Sequence, residues 1–283
     1  MFNNITSKIA KATSVAAVAT LALTGCGSST SADGDTIRIG IKYDQPGLGY
    51  QDGRDYTGFD TDVARYVANE LGYDEDHIEW VESPSANREN MLKNGQVDMI
   101  FATYSISESR LKTVDFAGPY FTAGQDLLVQ KDNTDITGPD TLDGKNLCSV
   151  TGSTSAKKVQ DKYASSVQLV QQNSYSDCVV ALNAGMVDAV TTDDIILAGL
   201  ASTKANKGEL KVVGNTFTEE RYGVGLPKGT DKCEAINKAI NKMVETGAWE
   251  EALTKNVGES GFKYNRELNP PKLDSACATA PAK

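Results

Sequence analysis

The stretch DMIFATYSISESR, Asp98–Arg110, indicates which fold this chain adopts. Its four apolar residues, 99–102, are too few for a helix and are typical of a buried strand in a covered parallel sheet. A loop with small hydroxyl residues follows, Thr103 and Ser105 among them, and it ends at Arg110. The stretch therefore predicts an α/β fold with a polar loop at the carboxyl end of a central strand.

Arg110 is a candidate anion-binding residue. Open α/β sheets bind ligands beyond the carboxyl ends of their strands, and a guanidinium there can hold a carboxylate through two charge-assisted hydrogen bonds. Two structural roles stay open at this point. Arg110 could pair with Glu108, or it could extend its charged end over the sheet edge into solvent.

Length and charge restrict the class of protein. A chain of 283 residues is long for one domain and suits two lobes. Its formal net charge is −10, and removal of an N-terminal leader carrying Lys8 and Lys11 makes the remaining chain more acidic still. This charge argues against a nucleic-acid partner, and a small ligand is expected.

Residues 1–25 are typical of an export signal. A short basic segment precedes an apolar run, 15–23, that is too short to span a bilayer. The run ends in Leu-Thr-Gly-Cys at 23–26, which resembles the lipobox of bacterial lipoproteins and implies acylation of Cys26; an ordinary signal peptide with an incidental cysteine is the alternative. Residues 26–35 would then tether the folded part to the outer face of the cytoplasmic membrane.

Four further cysteines, Cys148, Cys178, Cys233 and Cys277, would lie in an oxidising compartment. They allow three pairings, of which we favour 148 with 178 and 233 with 277; four buried thiols are the alternative. No cysteine has the spacing of a metal ligand, and a single histidine, His77, argues against a zinc site or a histidine-based catalytic relay. No metal and no cofactor are expected.

One unit occurs twice in the chain. A predicted helix, the motif Gly-Xaa-Val-Asp at 95–98, an apolar strand and Thr103 correspond to a helix, the same motif at 185–188, an apolar strand and Asp193. Two lobes of similar design would each offer a strand end to a shared cleft. We therefore expect Thr103 and Asp193 to face each other across that cleft.

The runs 125–130 and 222–226, both next to glycines, are strand-like and are interpreted as crossovers between the lobes. Residues 36–124 and 222–265 then form lobe 1, and residues 130–217 form lobe 2. Residues 266–283 form a C-terminal tail.

Local patterns place the other candidates. A strand at 36–41 carries Lys42 and Tyr43 just beyond its end. Asp60 and Asp62 fall in the first turn of a helix, where acids interact favourably with the helix dipole. Neither acid is therefore assigned a chemical role.

The dipeptide Ser83-Pro84 predicts the start of the next helix, because serine is a good cap residue and proline is favoured at the first helical position. Arg88 then lies near the first turn, where the helix dipole mildly opposes a cation. A purely structural role for Arg88 is disfavoured for this reason.

Several motifs, taken together and in this order, resemble the polar amino-acid solute-binding proteins that feed ABC importers. They are GFDTDV at 58–63, GQVD at 95–98, SISESR at 105–110, VDFAGPY at 114–120, LDGK at 142–145 and GST at 152–154. The resemblance extends to about residue 265 and implies a two-lobed periplasmic-binding-protein-like type II fold with two hinge crossovers. It also implies a binding protein and not an enzyme, although dehydratase-type enzymes share this fold.

The resemblance implies how an amino acid is held. Arg110 takes the α-carboxylate, and the turn at 152–154 precedes a helix whose free N–H groups complete the carboxylate's shell from lobe 2. Asp193 takes the α-ammonium, with a helix-capping role beside Asp194 as the alternative. The ligand-binding set implied in this way is Lys42, Tyr43, Arg88, Thr103, Ser105, Arg110, Ser153, Thr154 and Asp193.

Two cations at variable positions of the family favour an acidic ligand. Arg88 matches the arginine with which glutamate and aspartate binders hold the distal carboxylate, and Lys42 stands where glutamine binders carry an acid; Tyr43 would contact the ligand's methylenes. A neutral amide would leave these desolvated cations without a counterion.

Further matches point to one branch of the family. KYDQPGLG at 42–49, ESPSA at 82–86 and CSVTGST at 148–154 are similar to corynebacterial glutamate-binding lipoproteins, and the similarity includes Cys148 and Cys178. We therefore expect a lipid-anchored monomer that delivers L-glutamate, or L-aspartate, to an ABC permease. Binding of glutamine or asparagine is the alternative.

Overall fold

The computed structural model describes residues 36–163 and 165–279. The predicted leader, the lipidation site at Cys26 and the tether lie outside the described residues.

The described chain alternates strands and helices. The strands are β1 Ile37–Ile41, β2 Asp44–Gln45, β3 Gly49–Asp52, β4 Asp55–Thr57, β5 Ile78–Glu82, β6 Met99–Phe101, β7 Val114–Ala123, β8 Gln125–Gln130, β9 Asn146–Val150, β10 Gln168–Gln172, β11 Ala189–Asp193, β12 Leu210–Val212 and β13 Glu220–Pro227. The helices are α1 Phe59–Glu70, α2 Arg88–Lys93, α3 Glu108–Leu111, α4 Ser155–Lys162, α5 Tyr175–Asn183, α6 Asp194–Ser202, α7 Cys233–Glu245 and α8 Ala248–Val257, with short 3-10 turns at Glu75–His77, Pro139–Thr141 and Gly258–Ser260.

Two five-stranded sheets form the centres of the two lobes. The first has the order β5-β1-β6-β13-β7, and the second has the order β10-β9-β11-β8-β12. In each sheet four strands run in one direction, and the fourth strand in the order, β13 or β8, is antiparallel to both of its neighbours. The strand expected at 99–102 is β6, whose three residues are fully buried in the middle of the first sheet. The two-lobed α/β fold is thereby confirmed, although the sheets are mixed.

The repeated unit occupies equivalent places in the two sheets. The backbone N–H of Asp98 donates to the carbonyl of Arg38, and the N–H of Asp188 donates to the carbonyl of Asn146, both at 2.8 Å. The Asp98 carboxylate accepts the N–H of Arg38 at 2.8 Å, and the Asp188 carboxylate accepts the N–H of Asn146 at 2.7 Å. Each aspartate therefore fixes its strand beside the parallel neighbour, β1 or β9.

The chain crosses between the sheets twice. The runs expected as crossovers are themselves strands, β8 in the second sheet and β13 in the first, so the crossings fall at Gly124 and within residues 213–219. The two crossings touch, because the N–H of Phe217 donates to the carbonyl of Gln125 at 3.1 Å. A Cβ on Gly124 would lie 2.6 Å from the Cβ of Thr216, so the contact requires glycine.

Helix α2 begins at Arg88, and the prediction that it begins at Ser83-Pro84 is wrong. The N–H of Ser83 donates to the carbonyl of Ile41 at 2.9 Å, which continues the pairing of β5 with β1. The N–H of Asn87 then closes a turn on the carbonyl of Pro84 at 2.9 Å. Ser83 therefore continues the sheet pairing, and because a turn follows it, the helix begins only at Arg88.

The tail lies along the free edge of β7. The Asn269 side chain accepts from the N–H of Thr122 and donates to its carbonyl, and the N–H of Ala278 donates to the carbonyl of Phe116 at 2.7 Å. Disulfides join Cys148 to Cys178 and Cys233 to Cys277, so both favoured pairings are confirmed.

No helix among residues 36–163 and 165–279 is long and apolar enough to cross a membrane. The same residues contain no group of three or more potential ligands that could hold a metal ion.

Candidate functional site

A small cavity of about 20 Å³ lies between the two lobes, where the ends of β6 and β11 approach each other. A larger groove on the far side of the crossings, between α6 and residues 259–265, contains none of the predicted site residues. The cavity between the lobes is lined by Ser85, Arg88, Thr103, Ser105, Arg110, Ser153, Thr154, Ser155, Tyr175, Thr192, Asp193 and Ile196.

Arg110 lies in α3 and reaches both lobes. Its Nη1 donates to the carbonyl of Ser105 at 2.8 Å, and its Nη2 donates to the carbonyl of Gly152, in the second lobe, at 3.1 Å. Its Nε pairs with the carboxylate of Glu89 at 3.2 Å. The guanidinium is 7% exposed and is thus held in a fixed position at the cavity wall.

Arg88 is the first residue of α2 and is almost fully buried. Its Nη1 donates to the carbonyl of Ala102 at 2.8 Å, while its Nε has no hydrogen-bond partner among the described residues. Both arginines lie against the ring of Tyr104, with the guanidinium carbons 4.1 Å and 4.8 Å from the ring centre. Burial, followed by repulsion from Arg110, lowers the pKa of Arg88 to about 10, so Arg88 carries a full charge at neutral pH that an anion would stabilise.

Thr103 has an uncommon backbone conformation, with φ at +45°. Its N–H donates to the carboxylate of Asp60 at 2.8 Å, and the hydroxyl of Tyr120 donates to the other oxygen of that carboxylate at 2.9 Å. The Thr103 hydroxyl lies 3.2 Å from the side-chain oxygen of Gln45. Burial raises the pKa of Asp60 to about 6. Asp60 therefore supports the site, and this role of Asp60 was not predicted from the sequence.

The second lobe supplies hydroxyl groups at the start of α4. The Ser153 hydroxyl accepts from the N–H of Ser155 at 3.2 Å and from the hydroxyl of Tyr175 at 2.9 Å. Thr154 occupies the cap position of the helix without a side-chain cap bond. The helix start therefore faces the cavity with polar groups suited to an anion.

Asp193 ends β11 and is 4% exposed. Asp193 occupies the cap position of α6, but its carboxylate makes no capping bond, and the side chain of Asp194 accepts from the N–H of Ile195. Asp193 accepts instead from the hydroxyl of Tyr222 at 2.6 Å. Burial, and then the charge of Glu220, raises the pKa of Asp193 to about 8.

Lys42 and Tyr43 lie outside this cavity and line a neighbouring pocket, whereas the other seven predicted residues line the cavity itself. Lys42 is buried behind the cavity wall, with its Nζ 3.5 Å from the Ser85 hydroxyl and 3.8 Å from the carboxylate of Asp44. The Tyr43 hydroxyl donates to the carbonyl of Trp80 at 3.0 Å. In this structure neither side chain lines the cavity in which we predict the direct ligand contacts.

Five lining residues were not predicted from the sequence. Thr192 directly precedes Asp193, and Ser155 directly follows the predicted turn, so proximity to known positions could have identified both. Ser85, Tyr175 and Ile196 have no comparable signal, because each reads as an ordinary turn, cap or core residue.

Comparisons with known proteins agree with this fold. The chain matches the family model for bacterial extracellular solute-binding proteins, family 3, over residues 37–259. It is 46% identical over 272 residues to the glutamate-binding protein GluB of Corynebacterium efficiens, a match that covers 89% of this chain and 92% of that protein. It is 35% identical over 230 residues to the ABC transporter glutamine-binding protein GlnH of Bacillus subtilis, covering 80% and 83%.

A solved structure of an ancestral arginine-binding protein bound to glutamine is similar to this chain with a TM-score of 0.72 and 34% identity, covering 79% of this chain and 98% of that one. The family model spans most of the sequence, and the relatives match over most of their own length. The chain therefore belongs to the bacterial extracellular solute-binding proteins, family 3.

Proposed function

We propose that this protein captures L-glutamate between its two lobes and delivers it to an ABC importer. The observation that carries the proposal is the charge of one small cavity, which is lined by two buried arginines and one buried aspartate. Ionised glutamate has one ammonium and two carboxylate groups, so each of its charges finds an opposite charge. The similarity to a named glutamate-binding protein over most of the chain supports the same ligand.

Each ligand group has an assigned partner in this proposal. Arg110 binds the α-carboxylate, with Thr103 and Ser105 beside it and the start of α4, at Ser153 and Thr154, opposite. Asp193 binds the α-ammonium group. Arg88, whose Nε is unpartnered, binds the side-chain carboxylate.

Lys42 takes an indirect part in the proposal. Burial lowers the pKa of Lys42, and its ammonium group lies behind the wall that Ser85 forms. We assign Lys42 to the support of this wall and Tyr43 to the packing around Trp80.

The cellular arrangement follows from the family and the leader. Members of the family are extracellular, so this protein acts outside the cytoplasm. We further propose anchoring by a lipid on Cys26 and a monomeric protein. Because β8 lies in the second sheet and β13 in the first, the expected bounds of the lobes extend to residue 125 for lobe 2 and to residue 220 for the second part of lobe 1. Anchoring predicts that Cys26→Ser releases the protein from the membrane fraction.

Isothermal titration of the purified, ligand-free protein with glutamate, aspartate, glutamine and asparagine tests the ligand. We expect micromolar or tighter binding of glutamate, about −8 kcal/mol or stronger, and much weaker binding of glutamine. Arg88→Ala should weaken glutamate binding by more than about tenfold and narrow the difference between glutamate and glutamine, because a buried charge loses its partner.

Arg54→Ala is the matched control, since Arg54 is exposed in the turn between β3 and β4. Tighter binding of glutamine than of glutamate by the unaltered protein would overturn the assigned ligand. Failure to bind any of the four amino acids would overturn the proposed function.

A further inference from the structure

Tyr222 occupies a position between the two halves of the proposed ligand site. It lies in β13, shortly after the second crossing, and is fully buried. Its hydroxyl donates to the carboxylate of Asp193 in the second lobe at 2.6 Å. Its backbone forms an antiparallel bridge with Ser105 in the first lobe.

The neighbours of Tyr222 strengthen the contact with the Ser105 loop. The N–H of Ile106 donates to the carbonyl of Arg221 at 2.8 Å, and the N–H of Gly223 donates to the carbonyl of Tyr104 at 3.0 Å. The same strand therefore fixes the loop that precedes Arg110 and contacts the acid at the end of β11. A side chain at Gly223 would meet Ile106 and Phe116 at 2.8 Å, so this approach depends on glycine.

We propose that Tyr222 is a positioning residue, which orients Asp193 toward the ligand's ammonium group and holds it at a fixed distance from the carboxylate-binding loop. The inference rests on the proposed function, because it assigns a role in the recognition of an amino acid's two ends. Tyr222 does not line the cavity and acts through Asp193.

The hydrogen bond leaves Asp193 ready for a ligand. One carboxylate oxygen accepts from Tyr222, and the other accepts no hydrogen bond from any residue that the structure describes. A carboxylate fixed at one oxygen presents the second in a defined direction, which reduces the ordering required when an ammonium group binds.

The charge state of Asp193 depends on its surroundings. The groups that face it or act on its charge are Glu220 and Tyr222 of β13, Asp194 of α6, Lys158 of α4, Tyr175 of α5, and Arg88 and Arg110 across the cavity. Burial, Glu220 and Asp194 favour the protonated acid, whereas the Tyr222 hydroxyl and Lys158 favour the carboxylate. Lys158 forms an ion pair with Glu220, which reduces the repulsion between the two acids.

The direction of the pH effect follows from this balance. An ammonium ligand binds the ionised form of Asp193, so affinity rises with pH until the pH passes the pKa of Asp193 in the ligand-free protein, about 8. Loss of the Tyr222 hydroxyl removes a donor that stabilises the carboxylate, which raises this pKa further. The rise in affinity then moves to higher pH.

Glutamate titrations of the unaltered protein and of Tyr222→Phe between about pH 6 and 9 test the inference. We expect Tyr222→Phe to bind glutamate about tenfold more weakly near neutral pH, as for loss of a hydrogen bond to a charged group. The difference in glutamate affinity between Tyr222→Phe and the unaltered protein should shrink as the pH rises toward about 9, where Asp193 is ionised in the unaltered protein. Tyr264→Phe is the matched control, because it removes a hydroxyl that lies 2.6 Å from the carboxylate of Glu250 away from the cavity.

If Tyr222→Phe lost the same factor of glutamate affinity at every pH, Tyr222 would have a packing role alone and the inference would be overturned. Unchanged glutamate affinity of this variant would also overturn the inference. Thermal unfolding of both variants shows whether the protein remains folded. Failure of the unaltered protein to bind glutamate is a separate result that overturns the assigned ligand, and failure to bind any of the four amino acids overturns the proposed function. If another of the amino acids in the panel binds instead, the same pH series with that ligand tests Tyr222, since every one carries the ammonium group.

Discussion

At the scale of single residues, the Thr103 backbone carries the clearest strain in the site. It is the one non-glycine residue with a positive φ among 36–163 and 165–279. Such a conformation costs about 1 to 3 kcal/mol and persists only when neighbouring groups enforce it. The enforcing group is the buried carboxylate of Asp60, which accepts the Thr103 N–H and is itself fixed by Tyr120.

Asp60→Ala should therefore weaken glutamate binding by about tenfold or more, because the Thr103 N–H loses its acceptor and the loop before Arg110 relaxes. Asp60→Asn keeps an oxygen that can accept this N–H and should retain most of the affinity. Titration calorimetry on both variants provides the measurement, and Asp62→Asn, on the same helix but bonded to Lys255 and Asn256, is the control. Equal losses in the Ala and Asn variants would contradict this role.

Residue type and position predicted the cavity lining better than its support. Arg110 and Asp193 follow apolar strands, a pattern that indicates a ligand site at strand ends, whereas Arg88 was identified by its unfavourable place near a helix start and by the family resemblance. Asp60 was missed because an acid in the first turn of a helix already has a sufficient explanation in the helix dipole. Tyr222 lies in an apolar strand, where a core residue is expected. The position of Lys42 behind Ser85 depends on packing that the local sequence does not show.

At the scale of elements, β2 and α5 form a contact between the lobes. The carboxylate of Asp44 accepts from the N–H of Tyr175, the first residue of α5, at 3.1 Å. The backbone carbonyl of Asp44 accepts from the Ser176 hydroxyl at 3.1 Å. An acid at a helix N-terminus is favourable. This contact exists only while the lobes are close together, and it therefore stabilises the closed arrangement.

Asp44→Ala should raise the dissociation rate of glutamate about threefold to tenfold, in line with the loss of a helix cap, and leave the association rate nearly unchanged. Stopped-flow fluorescence separates the two rates. Strands β2, β3 and β4 form a separate three-stranded sheet, and Asp55→Ala in β4 should change neither rate because Asp55 is exposed. A slower association with unchanged dissociation would show that Asp44 acts on ligand entry instead.

The elements were predictable to different degrees. The repeated unit with Gly95 and Gly185 correctly placed β6 and β11, because its apolar run, glycine and acid recur at one spacing. The start of α2 was wrong because pairing with β1 retains Ser83, and such long-range pairing leaves no mark on the local sequence. The strand character of β8 and β13 was predicted, but the crossings lie beside these strands, at Gly124 and within residues 213–219.

At the scale of the whole molecule, the two disulfides stabilise different parts. Cys148 in β9 and Cys178 in α5 lie in the second lobe, and α5 presents Tyr175 to the cavity. Cys233 in α7 and Cys277 fix the tail against the first lobe, where no residue of 266–279 lines the cavity. The tail also covers the free edge of β7, which an exposed sheet would otherwise offer to other chains.

Removal of the disulfide that holds the tail should thus lower the stability of the protein without changing its affinity for the ligand. The cysteines of this pair are 44 residues apart and those of the other pair 30, so in the chain-entropy model either loss costs about 4 kcal/mol of unfolding free energy. Cys233→Ala/Cys277→Ala should lower the melting temperature and leave the glutamate Kd within about twofold, because this disulfide lies away from the cavity. Cys148→Ala/Cys178→Ala should lower the melting temperature and also weaken binding, since α5, which carries the cavity residue Tyr175, loses its covalent link to β9. Calorimetric unfolding and titration of the two double variants give both quantities, and a tail variant that loses affinity as strongly as the lobe 2 variant would show that the tail communicates with the cavity.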